Sequence, residues 1–243
     1  MKKILIGCAA FIFVLILIWK VAKQPSFQIF GDLIYRVDTP DRVVALTFDD
    51  VPSPHNTEEI LAILRDNSIR ATFFMVGKNI EKFPGLARAV LTDGHQLANH
   101  SFSHKRMIFD STEFCRNEIL KTDKAIRALG FQDEIVFRPP FGKKLVSLPW
   151  VLSDLGKLTV TWDAESEDTE YQDPDVLEQN VMSRVRRGSI ILFHDGGGRK
   201  DATIKAVKSV VRILKAQGFT FLTVNELRRN GLRHAAAKRY AQQ

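Results

Sequence analysis

Two imidazoles stand four residues apart in Asn99-His100-Ser101-Phe102-Ser103-His104. That spacing lets both face one cation if the chain makes a helical turn between them. A pair alone equally describes two surface or hydrogen-bonded histidines. The paired acids that close Leu46-Thr47-Phe48-Asp49-Asp50 change the weighting, because carboxylates at the end of an apolar strand need partners or water. With Asp50 as third ligand to His100 and His104, one coordination position stays open for water, and Asp49 stands near enough to take its proton. Successive strand residues point to opposite faces, so the two acids share a site only if Asp50 already lies in a loop. Val51-Pro52-Ser53-Pro54 supplies turn residues for that loop. Two imidazoles and a carboxylate suit zinc first, with cobalt, nickel or manganese compatible with the same donors.

Three further groups fall where strands end. Arg138, in Phe137-Arg138-Pro139-Pro140-Phe141-Gly142, is placed to hold Asp49 ionised and oriented, with a purely structural salt bridge as the alternative. Pro140 stiffens the following loop into a pocket wall, and Phe141 and Trp162 are rings on which a sugar can stack, although each can equally be packing. Ile190-Ile191-Leu192-Phe193-His194-Asp195 leads from a buried-type strand into three glycines, with Leu192 as a further wall residue and His194 at the rim. A protonated His194 can give a leaving amine its proton, kept charged by Glu165, Glu167 or Asp168. The glycine run is no phosphate loop, since no Lys-Ser or Lys-Thr follows it.

The elements that must position these groups alternate in type. Strands are expected at Val43 to Phe48, Ala71 to Val76, Gln96 to Asn99, Ile135 to Arg138, Thr159 to Trp162, Ser189 to Phe193 and Thr220 to Leu222. Between them, helices are expected at Thr57 to Asp66, Pro84 to Thr92, Ser111 to Leu129, Leu148 to Leu155, Asp175 to Val185 and Thr203 to Gln217. Such alternation implies an α/β fold with parallel strands, whose C-terminal ends form one rim where distant residues meet. Periodicity leaves a closed barrel and an open sheet both available.

At 243 residues, 45% hydrophobic and 26% charged, the chain has globular composition and length for one substantial core. Its start differs: Met1, Lys2 and Lys3 precede an unbroken apolar run from Ile4 to Trp19, followed by Lys20 and Lys23. Residues 1–23 are therefore expected to be a single-pass membrane anchor, with the catalytic domain facing the periplasm or cell exterior. A cleaved signal and secretion is the rival, disfavoured by the absence of a small-x-small site after the run. Residues 24–39 read as linker and first structured residues, 40–227 as the catalytic domain and 228–243 as a basic tail. The net charge of +7 sits at the two ends, leaving about −2 for residues 24–227, which argues against a nucleic-acid partner. The tail is either a contact for anionic membrane or wall polymer or simply solvated. Cys8 and Cys115 cannot form a bridge inside the folded part.

Taken together, Thr47-Phe48-Asp49-Asp50, His100-Ser101-Phe102-Ser103-His104, Arg138-Pro139-Pro140-Phe141-Gly142 and Leu192-Phe193-His194-Asp195 resemble the motifs of the polysaccharide deacetylases. This is carbohydrate esterase family four, whose catalytic unit is the NodB-homology domain. The likeness covers roughly residues 40–227. It implies a distorted (β/α) barrel of about seven strands, Asp49 as general base, Asp50, His100 and His104 as ligands of one divalent metal, Arg138 orienting Asp49, and His194 as general acid. It also implies removal of acetyl groups from a glycan such as peptidoglycan, chitin-type oligosaccharide or xylan. A lipid-linked sugar as substrate and a non-catalytic glycan-binding protein are the alternatives. Two departures stand out: Val51 where the family has Gly, expected to alter the groove entrance, and Thr169 where a Trp follows the motif's Asp, which leaves Asp168 and Glu165 competing as partner of His194.

Overall fold

Strand β2, Val43–Val51, is a run of apolar residues closed by two acids, and its alternation divides the core. Val44, Leu46 and Phe48 point outward and pack under helices, while Val43 and Ala45 point inward to a second cluster with Phe74, Ala98, Val136, Leu158, Val160 and Ile190. Residues Thr47 and Asp49 continue that inward series. The computed structural model describes residues 19–241. The expected anchor from Ile4 to Trp19 lies, apart from Trp19, outside the described residues, among which no helix is long and apolar enough to cross a membrane.

On one side β2 pairs in parallel with β3, Thr72–Met75, and β3 with β4, Gln96–Asn99. On the other it pairs in parallel with β7, Ile190–His194, which carries the two-residue β6, Ala164–Glu165. The start of β2 also pairs with β8, Thr220–Phe221. A separate short ladder joins β1, Leu33–Ile34, to β5, Thr159–Val160. The expected strand over Ile135 to Arg138 is reduced to single bridges from Phe137 to Asn99 and Thr159, and one antiparallel bridge joins Arg36 to Ser189. The α/β class and the parallel sheet are present; in place of a continuous ring of ladders, the regular pairing runs β4-β3-β2-β7-β6 with isolated bridges beyond it.

The crossovers are helical. They are α1 (Asn56–Asp66), α2 (Gly77–Lys82), α3 (Pro84–Thr92), α4 (Thr112–Ala128), α5 (Ser147–Asp154), α6 (Pro174–Met182), α7 (Asp201–Ala216) and α8 (Val224–Tyr240). Pattern reading missed α2, whose six residues are too few to show a period. It also ended the domain at 227, whereas residues 228–240 continue α8. The Thr223 side chain accepts from Glu226 N, and Glu226 accepts from Thr223 N at 2.9 Å, a capping box that the sequence carried three residues apart. Val224 and Leu227 then enter the inner cluster beneath the start of β2, closing the end opposite the acids.

Candidate functional site

Asp49 and Asp50 reach one site by a different route from the expected loop. Asp50 remains within β2, but its backbone is left-handed, φ 69°, and the register against β3 shifts between Phe48 and Val51. This bulge breaks the alternation and turns two consecutive carboxylates to the same rim. Space for the turn comes from Gly196, where a Cβ would lie 2.5 Å from the Asp50 Cβ. Val51 itself is buried in the outer core and is not among the residues lining the cavity.

Nor do the histidines meet through a helical turn. Left-handed residues at Ser101, φ 66°, and His104, φ 57°, fold the loop after β4 back on itself. Asn99 Oδ1 accepts from Ser101 N at 2.8 Å, and Ser101 Oγ accepts from His104 N at 3.0 Å. From α4, the buried Glu118 carboxylate accepts from Phe102 N at 3.1 Å, Ser103 N at 2.7 Å and Ser103 Oγ at 2.9 Å. Reading by motif passed over Glu118, because nothing nearby in sequence marks a helix acid as the anchor of a loop fifteen residues upstream.

Asp50, His100 and His104 converge, with one donor atom of each lying within 4.8 Å of the others. His104 Nε2 is 3.0 Å and His100 Nε2 3.7 Å from Asp50 Oδ1. That oxygen is buried and makes no properly directed hydrogen bond, the condition of an atom whose partner is a cation. His100 Nδ1 donates to the Arg138 carbonyl at 2.8 Å, which fixes the tautomer that turns the Nε2 lone pair to Asp50. Burial, opposed by Asp49, pushes the His100 pKa down and keeps the ring neutral, as a ligand must be. Although burial opposes its charge, the contact with His104 holds the Asp50 carboxyl far below its ordinary range. The donor set therefore fits one divalent cation with an open side.

Around this cluster stand two buried ion pairs. Arg138 Nη1 donates to Asp49 Oδ1 at 2.7 Å and Thr47 Oγ1 at 2.9 Å, while its other nitrogens reach the carbonyls of Val160 at 3.3 Å and Thr161 at 3.1 Å. Its guanidinium lies 3.9 Å over the Phe74 ring, so a fully buried cation has a partner at every edge and on one face. Asp49 Oδ2 faces His100 Nε2 at 3.5 Å, and in the β2-β7 register Asp49 stands opposite His194. Across the cavity, Asp168 accepts from His194 Nδ1 at 2.7 Å and from His194 N at 2.9 Å. Thr203 Oγ1 at 3.0 Å holds the same carboxylate, and Lys200 Nζ donates to the Asp168 carbonyl at 3.0 Å. Burial works against a charged His194, yet the Asp168 hydrogen bond and charge raise its pKa to about 9. Glu165, the competing acid, instead accepts from Trp162 Nε1 at 2.9 Å.

Asp49, Asp50, His100, His104 and His194 line a cavity of about 280 Å³ together with Phe141, Gly142, Trp162, Glu165, Thr169 and Leu192. Phe141 is half exposed and packs against the His104 ring at 4.7 Å between centroids. Pro140 is buried and lies outside the lining, so it shapes the loop without forming its wall. Gly142, φ 64°, is obligatory there: a Cβ would meet the Trp162 ring at 2.7 Å. A larger recess of about 590 Å³ along α8, lined by Leu222, Glu226, Arg229, Leu232 and Arg233, brings together no such set of imidazoles and carboxylates, so size does not select the site.

A family model described as polysaccharide deacetylase matches residues 36–160. Over 201 residues the chain is 32% identical to the peptidoglycan-N-acetylglucosamine deacetylase of Bacillus cereus, covering 82% of this chain and 94% of that one. Over 199 residues it is 31% identical to the chitooligosaccharide deacetylase of Azorhizobium caulinodans, covering 76% and 93%. Among solved structures, a CE4 family pseudoenzyme from Bacillus anthracis superposes with a TM-score of 0.76 at 27% identity, over 83% of this chain and 70% of that one.

Proposed function

Because the chain belongs to the polysaccharide deacetylase family, we propose that it hydrolyses the N-acetyl groups of an amino-sugar glycan, peptidoglycan or a chitin-type oligosaccharide. The observation that carries this reading is the order of groups around one cavity: three ligands, a carboxylate beside them and a charged histidine opposite. A divalent cation on Asp50, His100 and His104, zinc in preference to cobalt, nickel or manganese, lowers the pKa of water and polarises an acetamide carbonyl when bound. Asp49, held by Arg138, accepts a proton from the attacking water. His194, charged through Asp168, gives its proton to the sugar nitrogen as the carbon–nitrogen bond breaks, so acetate and a free amine leave. Phe141, Trp162 and Leu192 wall the space for the acetyl group and the sugar face.

Both named relatives act on acetylated amino sugars, which supports the substrate class. The apolar run from Ile4 to Trp19 supports a membrane anchor with the catalytic domain outside the cell, where wall polymer lies. Metal-loaded full chain is expected to release acetate from N-acetylated peptidoglycan fragments or chitin oligomers, with the rate lost on chelation and restored by zinc. Asp49→Asn is expected to lower kcat by about 10²–10⁴-fold with metal content unchanged. A pseudoenzyme shares the fold, so the competing reading is a glycan-binding protein. Glycan binding without acetate release from any of these substrates would establish it.

A further inference from the structure

Beside the catalytic mouth lies a group of large apolar side chains open to solvent. Trp19, Phe27 and Ile29, ahead of β1, and Val146 and Trp150, at the start of α5, are each 44% to 53% exposed. Single exposed apolar residues are ordinary, but these belong to two stretches fastened together. Lys144 N donates to Ala22 O at 3.0 Å, Lys144 Nζ donates to Gln24 O at 2.9 Å, and the Phe30 and Trp150 rings meet edge to face at 5.2 Å. The Lys143 ammonium sits 3.8 Å over the Trp19 ring, and its chain neighbour Gly142 lines the catalytic cavity.

No acidic residue occurs in 1–31 or 143–153. Among the described residues of those stretches Lys20 and Lys23 are exposed, whereas Lys143 and Lys144 are buried, one over the Trp19 ring and the other on Gln24 O. Tryptophan with lysine at the foot of an apolar run is the composition of a membrane interface, where rings sit among headgroups and ammonium groups reach phosphate. The run from Ile4 to Trp19 ends on this patch. A second copy of the chain fits poorly, because a two-fold pairing of the patch would set the exposed Lys20 and Lys23 against their own copies.

We propose that this face rests in the headgroup layer of an anionic phospholipid bilayer, so that the catalytic cavity opens at the membrane surface. The inference rests on reading Ile4 to Trp19 as an anchor. It sharpens the substrate: the acetylated sugars within reach are those presented next to the bilayer.

The full chain, reconstituted into vesicles of phosphatidylglycerol and phosphatidylcholine with brominated acyl chains, tests this through tryptophan emission. The protein has three tryptophans, of which Trp162 belongs to the cavity. Bromine near the headgroups is expected to quench wild type more than Trp150→Phe, a change at a half-exposed ring, and deep bromine is expected to quench them alike. Equal quenching of the two proteins by shallow bromine overturns the docking, and a two-copy mass in detergent alongside that result would hand the face to a second copy. If the protein fails to float with vesicles at all, the anchor reading falls as well. Floating protein with unquenched Trp150 removes the docking alone, and acetate release from soluble oligomers reports separately on the proposed reaction.

Discussion

Asp49 and His194 lie opposite each other on adjoining strands, and each leans on a buried group of opposite charge, Arg138 for one and Asp168 for the other. The consequences of cutting these links differ. Asp168→Asn removes what holds the His194 pKa near 9, so the pKa falls toward the ordinary value of about 6.5. In the proposed reaction the acid form is the active one, and it is lost as pH rises through the pKa. The alkaline limb of the kcat profile is therefore expected to move from near pH 9 toward neutrality, which a pH–rate series on oligosaccharide reads directly. Arg138→Met acts on stability instead: Asp49 stays buried with its partner gone, at a cost of about 3–5 kcal/mol in urea unfolding at neutral pH. Adding Asp49→Asn to that variant is expected to restore part of the loss. Single residues were the most legible scale, because the carboxylates and imidazoles singled out at strand ends do converge on one cavity whatever the backbone does between them. What the letters did not show was Asp50 at a positive φ, since a bulge depends on the neighbouring strand's register and on the room left by Gly196.

Elements repeat the pattern one level up. Long strands and helices were readable by period, and β5 and β8 fall within the expected Thr159 to Trp162 and Thr220 to Leu222, whereas β1, β6 and α2 are too short to carry a period. The loop between His100 and His104 illustrates why site geometry escapes such reading: its shape comes from α4, through Glu118. Glu118→Ala leaves three donors, one buried and two partly buried, without their acceptor and frees the loop that sets the angle between the imidazoles. Zinc affinity, measured by competition with a chromogenic chelator, is expected to fall about 10–100-fold, while Glu118→Gln, which can still accept at the same position, loses less. An equal loss in both variants would show that charge, not loop geometry, is what Glu118 contributes.

At the scale of the whole molecule, the two ends of the strand layer have separate duties, and the basic C-terminus belongs to the one away from Asp49 and Asp50. Its five cations suggested either a contact for anionic membrane or wall polymer or a solvated tail, because charge counts do not see that the same helix buries Val224 and Leu227 fully beneath the start of β2. Asn230 extends the seal: it accepts from Thr39 Oγ1 at 2.7 Å and donates to Asp41 Oδ2 at 2.7 Å, and Gly231 fits where a Cβ would come within 2.3 Å of Val37. Beyond Arg233 the side chains are mostly exposed, with His234 reaching Asp41 at 2.8 Å as the last tie to the body. Stopping the chain after His234 should therefore leave the thermal midpoint within a few degrees of wild type, since exposed positions contribute little. Stopping it after Phe221 uncovers the inner core, removing two apolar side chains worth about 1.5–3 kcal/mol each together with the Asn230 hydrogen bonds. Against a typical margin of about 5–15 kcal/mol, that loss is expected to abolish cooperative unfolding and, with it, acetate release, although every residue of the cavity remains in the chain. Retained activity in the shorter protein would mean that the strands hold the catalytic rim without α8 closing their other end.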